Sequence, residues 1–164
     1  METTIRRFPI GIQTFAEIIS GKYLYIDKTG YVNDIADKYK YVFLSRPRRF
    51  GKSLLSSTFH CYFEGRKELF EGLKAGEVKK EWTKHPVFHF DMSTAKHLDE
   101  EQLVRTLGYK LEGYEAIYGK LPNVDEVDVN ARLEFLIKAA FEQTGQQAVI
   151  IIDEYDAPLL DVMN

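Results

Sequence analysis

The sequence predicts an α/β protein with a parallel sheet and helices on its faces, and three observations carry that reading. Short apolar runs recur at Tyr41-Val42-Phe43-Leu44, from Pro86 to Asp91 (PVFHFD) and from Ala148 to Glu154 (AVIIIDE). The first of these runs is continuous rather than alternating, which suits a strand covered on both faces, as parallel strands are. Segments with helical spacing of apolar residues separate them, so strand and helix alternate along the chain. That order implies right-handed crossovers and a three-layer arrangement.

Each element has its own signal. In the first 40 residues, IGIQTFAEIISG reads as a short amphipathic helix closed by Gly21, and YLYIDKT as a strand entering a helix from Thr29 to Lys38. The run 41–44 follows as a strand. After Lys52 the positions Leu54, Leu55, Thr58, Phe59 and Tyr62 recur at three and four, so a helix begins there. Pro86 stands at the start of the next strand, where a missing N–H is tolerated. Two helices are predicted over 98–118 and 128–144; in the second, Leu133, Leu136, Ile137 and Ala140 line one face and Gly145 is the stop. The turn GKLPNVDEVDVN between them is the one linker-like stretch. Residues 1–40 are therefore expected to be a preamble packed on a core domain formed by 41–164. Ten residues follow the pair Asp153-Glu154, and the chain reads as the N-terminal part of a longer protein.

Composition bounds the function. With 164 residues, 45% hydrophobic and 29% charged, the chain suits a globular core and excludes wholesale disorder. A net charge of −3 supplies no global basic field, so any nucleic-acid contact must be local. The single cysteine, Cys61, lies among Phe59, Tyr62 and Phe63 and reads as a buried structural thiol. The N-terminus lacks the apolar core of a signal peptide and no apolar run is long enough to span a bilayer, so a cytoplasmic protein without membrane contact is expected.

The stretch Ser45 to Ser53, SRPRRFGKS, ends like a phosphate-binding loop, G-x-x-x-x-G-K-[ST], with Arg46 where the first glycine would stand. Alone, Gly-Lys-Ser is a weak motif; placed between a strand pattern and a helix pattern it has the context the mechanism requires. Backbone N–H groups of the loop and helix start then face the phosphates, Lys52 reaches the β- and γ-phosphates, and the Ser53 hydroxyl is a magnesium ligand. Such a site also needs an acid at a strand end. Asp153 fits as the magnesium-organising carboxylate and Glu154 as the base that polarises water. A solvated strand end is the plain alternative for that pair. Arg48 and Arg49 read either as added charge beside the phosphates or as solvated surface.

YIDKT, FLSRPRRFGKSLL, YFEG, LFEGL and IIIDEYDAPL together resemble the bacterial AAA-ATPase-like family, over about Phe8 to Leu160. Its members often carry a PD-(D/E)XK nuclease-like domain further along. The resemblance implies a three-layer P-loop NTPase sheet of AAA (ASCE-like) type that uses ATP and magnesium. Residues Pro47 to Leu54, including Arg48, Arg49, Phe50, Gly51, Lys52 and Ser53, match its phosphate loop, and Asp153-Glu154 its acidic strand end. In that family's form of the loop, Arg46 is regular. The implied partners are nucleotide, nucleic acid through a downstream domain, and further copies of the full-length protein. The expected function is Mg-ATP binding and hydrolysis coupled to a downstream effector. The alternative is a nucleotide-gated or nucleic-acid-binding module with little turnover, supported by Arg46, Arg48, Arg49 and Lys52 with Arg6 and Arg7.

Other candidates have plainer readings. His89 and Asp91 share a strand face near His85, but Pro86 breaks helical ligand spacing and a hydrogen-bonded histidine is favoured over zinc. His60 and His97 are expected to be structural or surface. Glu77-Val78-Lys79 has nuclease-like spacing without an acidic partner strand. Tyr23, Tyr25 and Tyr31 are expected in the core, with adenine stacking as the alternative. Lys28, within YIDKT, is a candidate through the resemblance alone.

Overall fold

The computed structural model describes residues 7–45, 47, 49–93 and 100–155. The chain divides into two compact units, Met1–Lys84 and His85–Asn164, and each is considered by itself.

The first unit is helical. Helices α1 (Phe15–Ser20), α2 (Thr29–Lys38), α3 (Lys52–Phe63) and α4 (Lys74–Val78) are joined by a 3-10 turn at Lys67–Phe70. α1 and α2 both pack on α3, and α2 also on α4. Gly21 closes α1 as expected, its N–H donating to the Glu17 carbonyl. The core gathers Phe15, Val32, Cys61, Tyr62, Leu69 and Phe70, with Leu54 and Trp82 packed against it. The Phe15 ring lies 4.8 Å from that of Phe70, a separation at which aromatic edges and faces attract beyond simple burial. Burial pushes the Cys61 thiol above its ordinary value, the opposite of an activated nucleophile.

YIDKT acquires a structural meaning here. One Asp27 oxygen accepts from the Thr29 N–H at 2.8 Å and the Thr29 hydroxyl at 2.7 Å; the other accepts from the Lys74 N–H at 2.8 Å. The Thr29 hydroxyl in turn accepts from the Ala75 N–H at 3.0 Å. Thus Asp27 and the buried Thr29 serve the starts of both α2 and α4, while Lys28 is exposed. Partial burial alone would raise the Asp27 pKa, but the hydrogen bonds from Lys74 and Thr29 outweigh it and hold the carboxyl below its usual range. A folded pKa below the unfolded one contributes stability that is full above the unfolded value, about 3.9, and is lost as pH falls through the folded pKa. Asp27→Asn is therefore expected to lower stability at neutral pH by about 1–2 kcal/mol and to flatten the acid limb of the melting profile. An acid limb identical to that of the parent chain would count against this role.

A polar chain ties α2 to α3: the Tyr62 hydroxyl donates to the buried Asn33 side chain at 2.8 Å, and Asn33 donates to the exposed Asp37 at 3.1 Å. Burial, with Asp37 adding to it, pushes the Tyr62 pKa up to about 12. The Lys79 ammonium lies 3.6 Å from the Tyr62 ring centroid and 5.0 Å from that of Trp82, so the lysine of Glu77-Val78-Lys79 belongs to this aromatic cluster.

The second unit contains the sheet. β1 (Val87–Asp91) and β2 (Val149–Asp153) pair in parallel, with Val87 opposite Val149 and Asp91 opposite Asp153. Between them run α5 (Glu100–Tyr118) and α6 (Val129–Thr144). α6 begins where Asp128 accepts from the Ala131 N–H and ends at Gly145 with φ of 68°, the stop its sequence predicts. Phe88, Phe90, Met92, Leu111, Leu136 and Ala140 form its core. The Tyr114 hydroxyl donates to the His89 carbonyl at 3.2 Å and accepts from the His89 N–H at 2.7 Å. A side chain thereby takes the place of a further strand on that edge of β1.

Across α5 and α6, Arg132 is 3% exposed yet fully engaged. Its Nε donates to Glu115 at 2.7 Å, and its terminal nitrogens donate to the Glu126 and Gly108 carbonyls at 2.7 and 3.1 Å. The guanidinium thereby fastens the 119–128 turn to both helices.

Two strand expectations need correction. Residues 41–44 are not in a strand; Tyr41, Val42 and Phe43 are 84%, 55% and 74% exposed. Residues 23–28 are without regular structure and without ladder pairing. The physical reason is common to both: a strand exists only with a hydrogen-bonded neighbour, and no strand occurs among the described residues of the first unit. Ile150 and Ile152, expected under cover on both faces, are 41% and 55% exposed, whereas their register partners Phe88 and Phe90 are buried.

Candidate functional site

Gly51 turns the chain into α3. Its φ of 75° and ψ of 30° are left-handed, a conformation that glycine adopts without steric cost. No side chain caps the helix start, and a Cβ placed on Gly51 would meet nothing within 4 Å. The first helical N–H groups thus receive no cap from the N-cap residue and carry the positive end of the helix dipole behind them. Lys52 and Ser53 are half-buried as the first two helical residues, and Leu54 packs into the core. The Ser53 carbonyl accepts from Ser56 and the Leu54 carbonyl from Ser57 and Thr58. Ser57 also accepts from the Phe15 N–H at 2.9 Å, so the loop helix holds α1 in place.

Arg49 has φ of 67°, left-handed and costly for a residue with a side chain. It and Phe50 are exposed, as is Pro47. Arg46 and Arg48 lie outside the described residues.

The acidic half sits at the end of β2. Asp153 is 8% exposed, its carboxylate accepting from the Glu154 N–H at 3.0 Å and its carbonyl from the Met92 N–H at 2.9 Å. Glu154 has φ of 54°, so the chain turns sharply at the strand end and carries a strained backbone there. Asp91 is the register partner of Asp153 and accepts from the Ser93 N–H at 2.8 Å. Sequence reasoning weighed Asp91 only with His89 for zinc; its pairing with Asp153 depends on strand register, which residue spacing does not carry. Lys52 and Ser53 belong to one compact unit and Asp153 and Glu154 to the other.

The remaining candidates fall elsewhere. His85 Nδ1 lies 3.0 Å from the Gln147 carbonyl, and His60 Nε2 lies 3.3 Å from Glu64 within α3. His97 is outside the described residues. Among the described residues, no group of three or more His, Cys, Asp or Glu side chains is placed to hold a metal ion. Tyr25 meets Phe15 edge-on at 5.4 Å, as a core residue does; Tyr23 is half-buried and Tyr31 is 70% exposed, so Tyr31 departs from the core expectation. Among the described residues, no helix is long and apolar enough to cross a membrane.

A mixed α/β chain with a parallel two-stranded sheet and a glycine-led helix start after a basic loop is what comparison with known proteins places in a family. The family described as "Predicted AAA-ATPase" matches residues 9–164, and the chain belongs to it. A curated relative, "Uncharacterized protein in vnfD 5'region" of Azotobacter chroococcum mcd 1, is 37% identical over 158 residues. The match covers 95% of this chain and 30% of the relative, so the chain spans under a third of that protein's length. No solved structure matches.

Proposed function

We propose that the chain binds Mg-ATP through Gly51, Lys52, Ser53 and Leu54 and forms the N-terminal part of a P-loop ATPase domain that hydrolyses it. The observation that carries this reading is the left-handed Gly51 opening an uncapped helix, in a chain of the predicted AAA-ATPase family. In the proposal β1 and β2 are two strands of a wider three-layer sheet in the domain 41–164, with residues 1–40 packed on it. The fit to an anion is chemical as well as geometric: a helix N-terminus that opens on Lys52 offers backbone N–H groups and a cation to a phosphate, and a Cβ on the preceding Gly51 would meet nothing within 4 Å.

The roles follow. Backbone N–H groups from Arg48 to Leu54, with Pro47 stiffening the turn and lacking an N–H of its own, cradle the phosphates. Lys52 neutralises the β- and γ-phosphate oxygens, and Arg49 and Phe50 border the loop. The Ser53 hydroxyl and the Asp153 carboxylate would hold magnesium, which when bound spreads the charge developing on the phosphates. Glu154 accepts a proton from the attacking water, whose oxygen bonds to the γ-phosphorus while the bond to the bridging oxygen breaks, giving ADP and phosphate. In the longer protein this turnover drives or switches a downstream effector, nuclease-like by the family resemblance.

Calorimetric titration with Mg-ATP tests the reading. Gly51→Ala places a side chain in the left-handed region at a cost of about 1–2 kcal/mol, and relaxation of the loop out of that conformation is expected to weaken affinity about tenfold. Equal affinity in parent and variant would mean that the Gly51 turn does not hold the phosphates.

A further inference from the structure

Four apolar side chains of the first unit lie largely in the open: Phe8 at 71%, Ile10 at 90%, Leu24 at 40% and Ile26 at 75% exposure. They come from two segments, joined where the Leu24 N–H donates to the Arg7 carbonyl at 2.8 Å. Along the second segment exposure alternates, with Tyr23 and Tyr25 half-buried between the exposed Leu24 and Ile26. The Tyr25 ring meets Phe15 edge-on at 5.4 Å and its hydroxyl lies beside Thr58 of α3. The first segment turns at Gly11, with φ of 76°, and enters α1, where the Phe15 N–H donates to Ser57 of α3 at 2.9 Å. Both segments are thus held to the first two turns of the helix that starts at Lys52. At about 1.5 Å of rise per residue, Ser57 and Thr58 stand roughly 7–9 Å along the axis from Lys52.

An occupant of these four side chains must offer a flat apolar face, and it must belong beside a helix start that suits phosphates. Bare phosphate or polyphosphate has no such face. A polypeptide cover has the face, but nothing ties it to the phosphate loop. A nucleobase meets both conditions, because a ribose sets the base off from its phosphates by a distance of the same order as that offset along α3. On the reading that the loop ending in Gly51-Lys52-Ser53 holds phosphates, we infer that Phe8, Ile10, Leu24 and Ile26 receive the base of the nucleotide. The segments ahead of the loop then select a nucleoside triphosphate over bare triphosphate. Small-ligand sites share this division, with apolar walls for the ring and a few polar groups for the charged end. Tyr25, a stacking candidate by residue type, is engaged with Phe15 and Thr58 instead.

Calorimetric titration of the 164-residue chain with Mg-ATP and with magnesium tripolyphosphate separates the base from the phosphates. Mg-ATP is expected to bind about tenfold or more tightly than the tripolyphosphate, the base adding buried apolar surface. The double variant Phe8→Ser/Ile26→Ser is expected to lose about fivefold or more in Mg-ATP affinity. Its tripolyphosphate affinity and its ligand-free melt should match the parent, since both side chains are exposed. Lys52→Ala should weaken both ligands together. Equal parent affinities for the two ligands, or equal weakening of both by the double variant, overturns the inference and leaves a polypeptide as the cover of these side chains. Failure of the parent chain to bind either ligand overturns the phosphate-loop reading itself, and this inference with it.

Discussion

Glu154→Gln is expected to bind Mg-ATP as the parent chain does and to lose turnover by about 100- to 10,000-fold, the range over which a positioned general base acts. Gln keeps the size and hydrogen-bonding shape of Glu but has no basic oxygen. The substitution therefore leaves the phosphate contacts of the loop alone and removes only the group that takes the proton from water. The backbone at this position strengthens the expectation, since a left-handed φ of 54° at a residue with a side chain is strain of about 1–3 kcal/mol, of the kind found at functional sites. Phosphate release measured with saturating Mg-ATP, in the longest form of the protein that turns over, is the check. Undiminished release would remove Glu154 from the role of base.

Arg132→Ala is expected to produce the largest loss of stability, about 3–5 kcal/mol, because it strands the Glu115 carboxylate in the protein interior. Arg132 and Glu115 side chains are 3% and 7% exposed, and the Glu115 carboxylate keeps the guanidinium firmly charged. Two backbone carbonyls, of Gly108 and Glu126, lose their donors in the same step. The double variant Arg132→Met/Glu115→Leu should recover much of the loss, since it leaves no buried charge. Urea melts read both. A single-variant loss below about 1 kcal/mol would mean that water enters and solvates the carboxylate.

Much of the fold was legible because its signals are local. The boundaries of α2, the start of α3 at Lys52 and the Gly145 end of α6 are each written within a few residues of where they act. β1 and β2 were legible as apolar runs, and their parallel pairing followed from the helices between them. What escaped depends on partners distant in sequence. The run 41–44 has a strand's composition, but composition does not provide a neighbouring strand. Asp27 is a carboxylate two residues before a threonine, a spacing that suggests a local turn; its bond to Lys74, 47 residues away, has no such signature. Arg132 could be read from sequence only as one more charge on a helix. At the candidate site the helix start was legible, whereas the left-handed backbone at Gly51, Arg49 and Glu154 and the Asp91–Asp153 pairing were not.

The central claim, that the loop ending in Gly51-Lys52-Ser53 binds nucleotide phosphates, is tested most directly by thermal melts of the parent chain and Lys52→Ala with and without Mg-ATP. Lys52 is half-buried at a helix start, and its replacement leaves the core untouched. Ligand at about one hundred times its dissociation constant should stabilise the parent by roughly 2.7 kcal/mol, a rise of several degrees for a domain of this size. The account predicts that rise in the parent and its loss in Lys52→Ala. An equal rise in both would contradict it, as would a cooperative melt in the parent that Mg-ATP leaves unmoved.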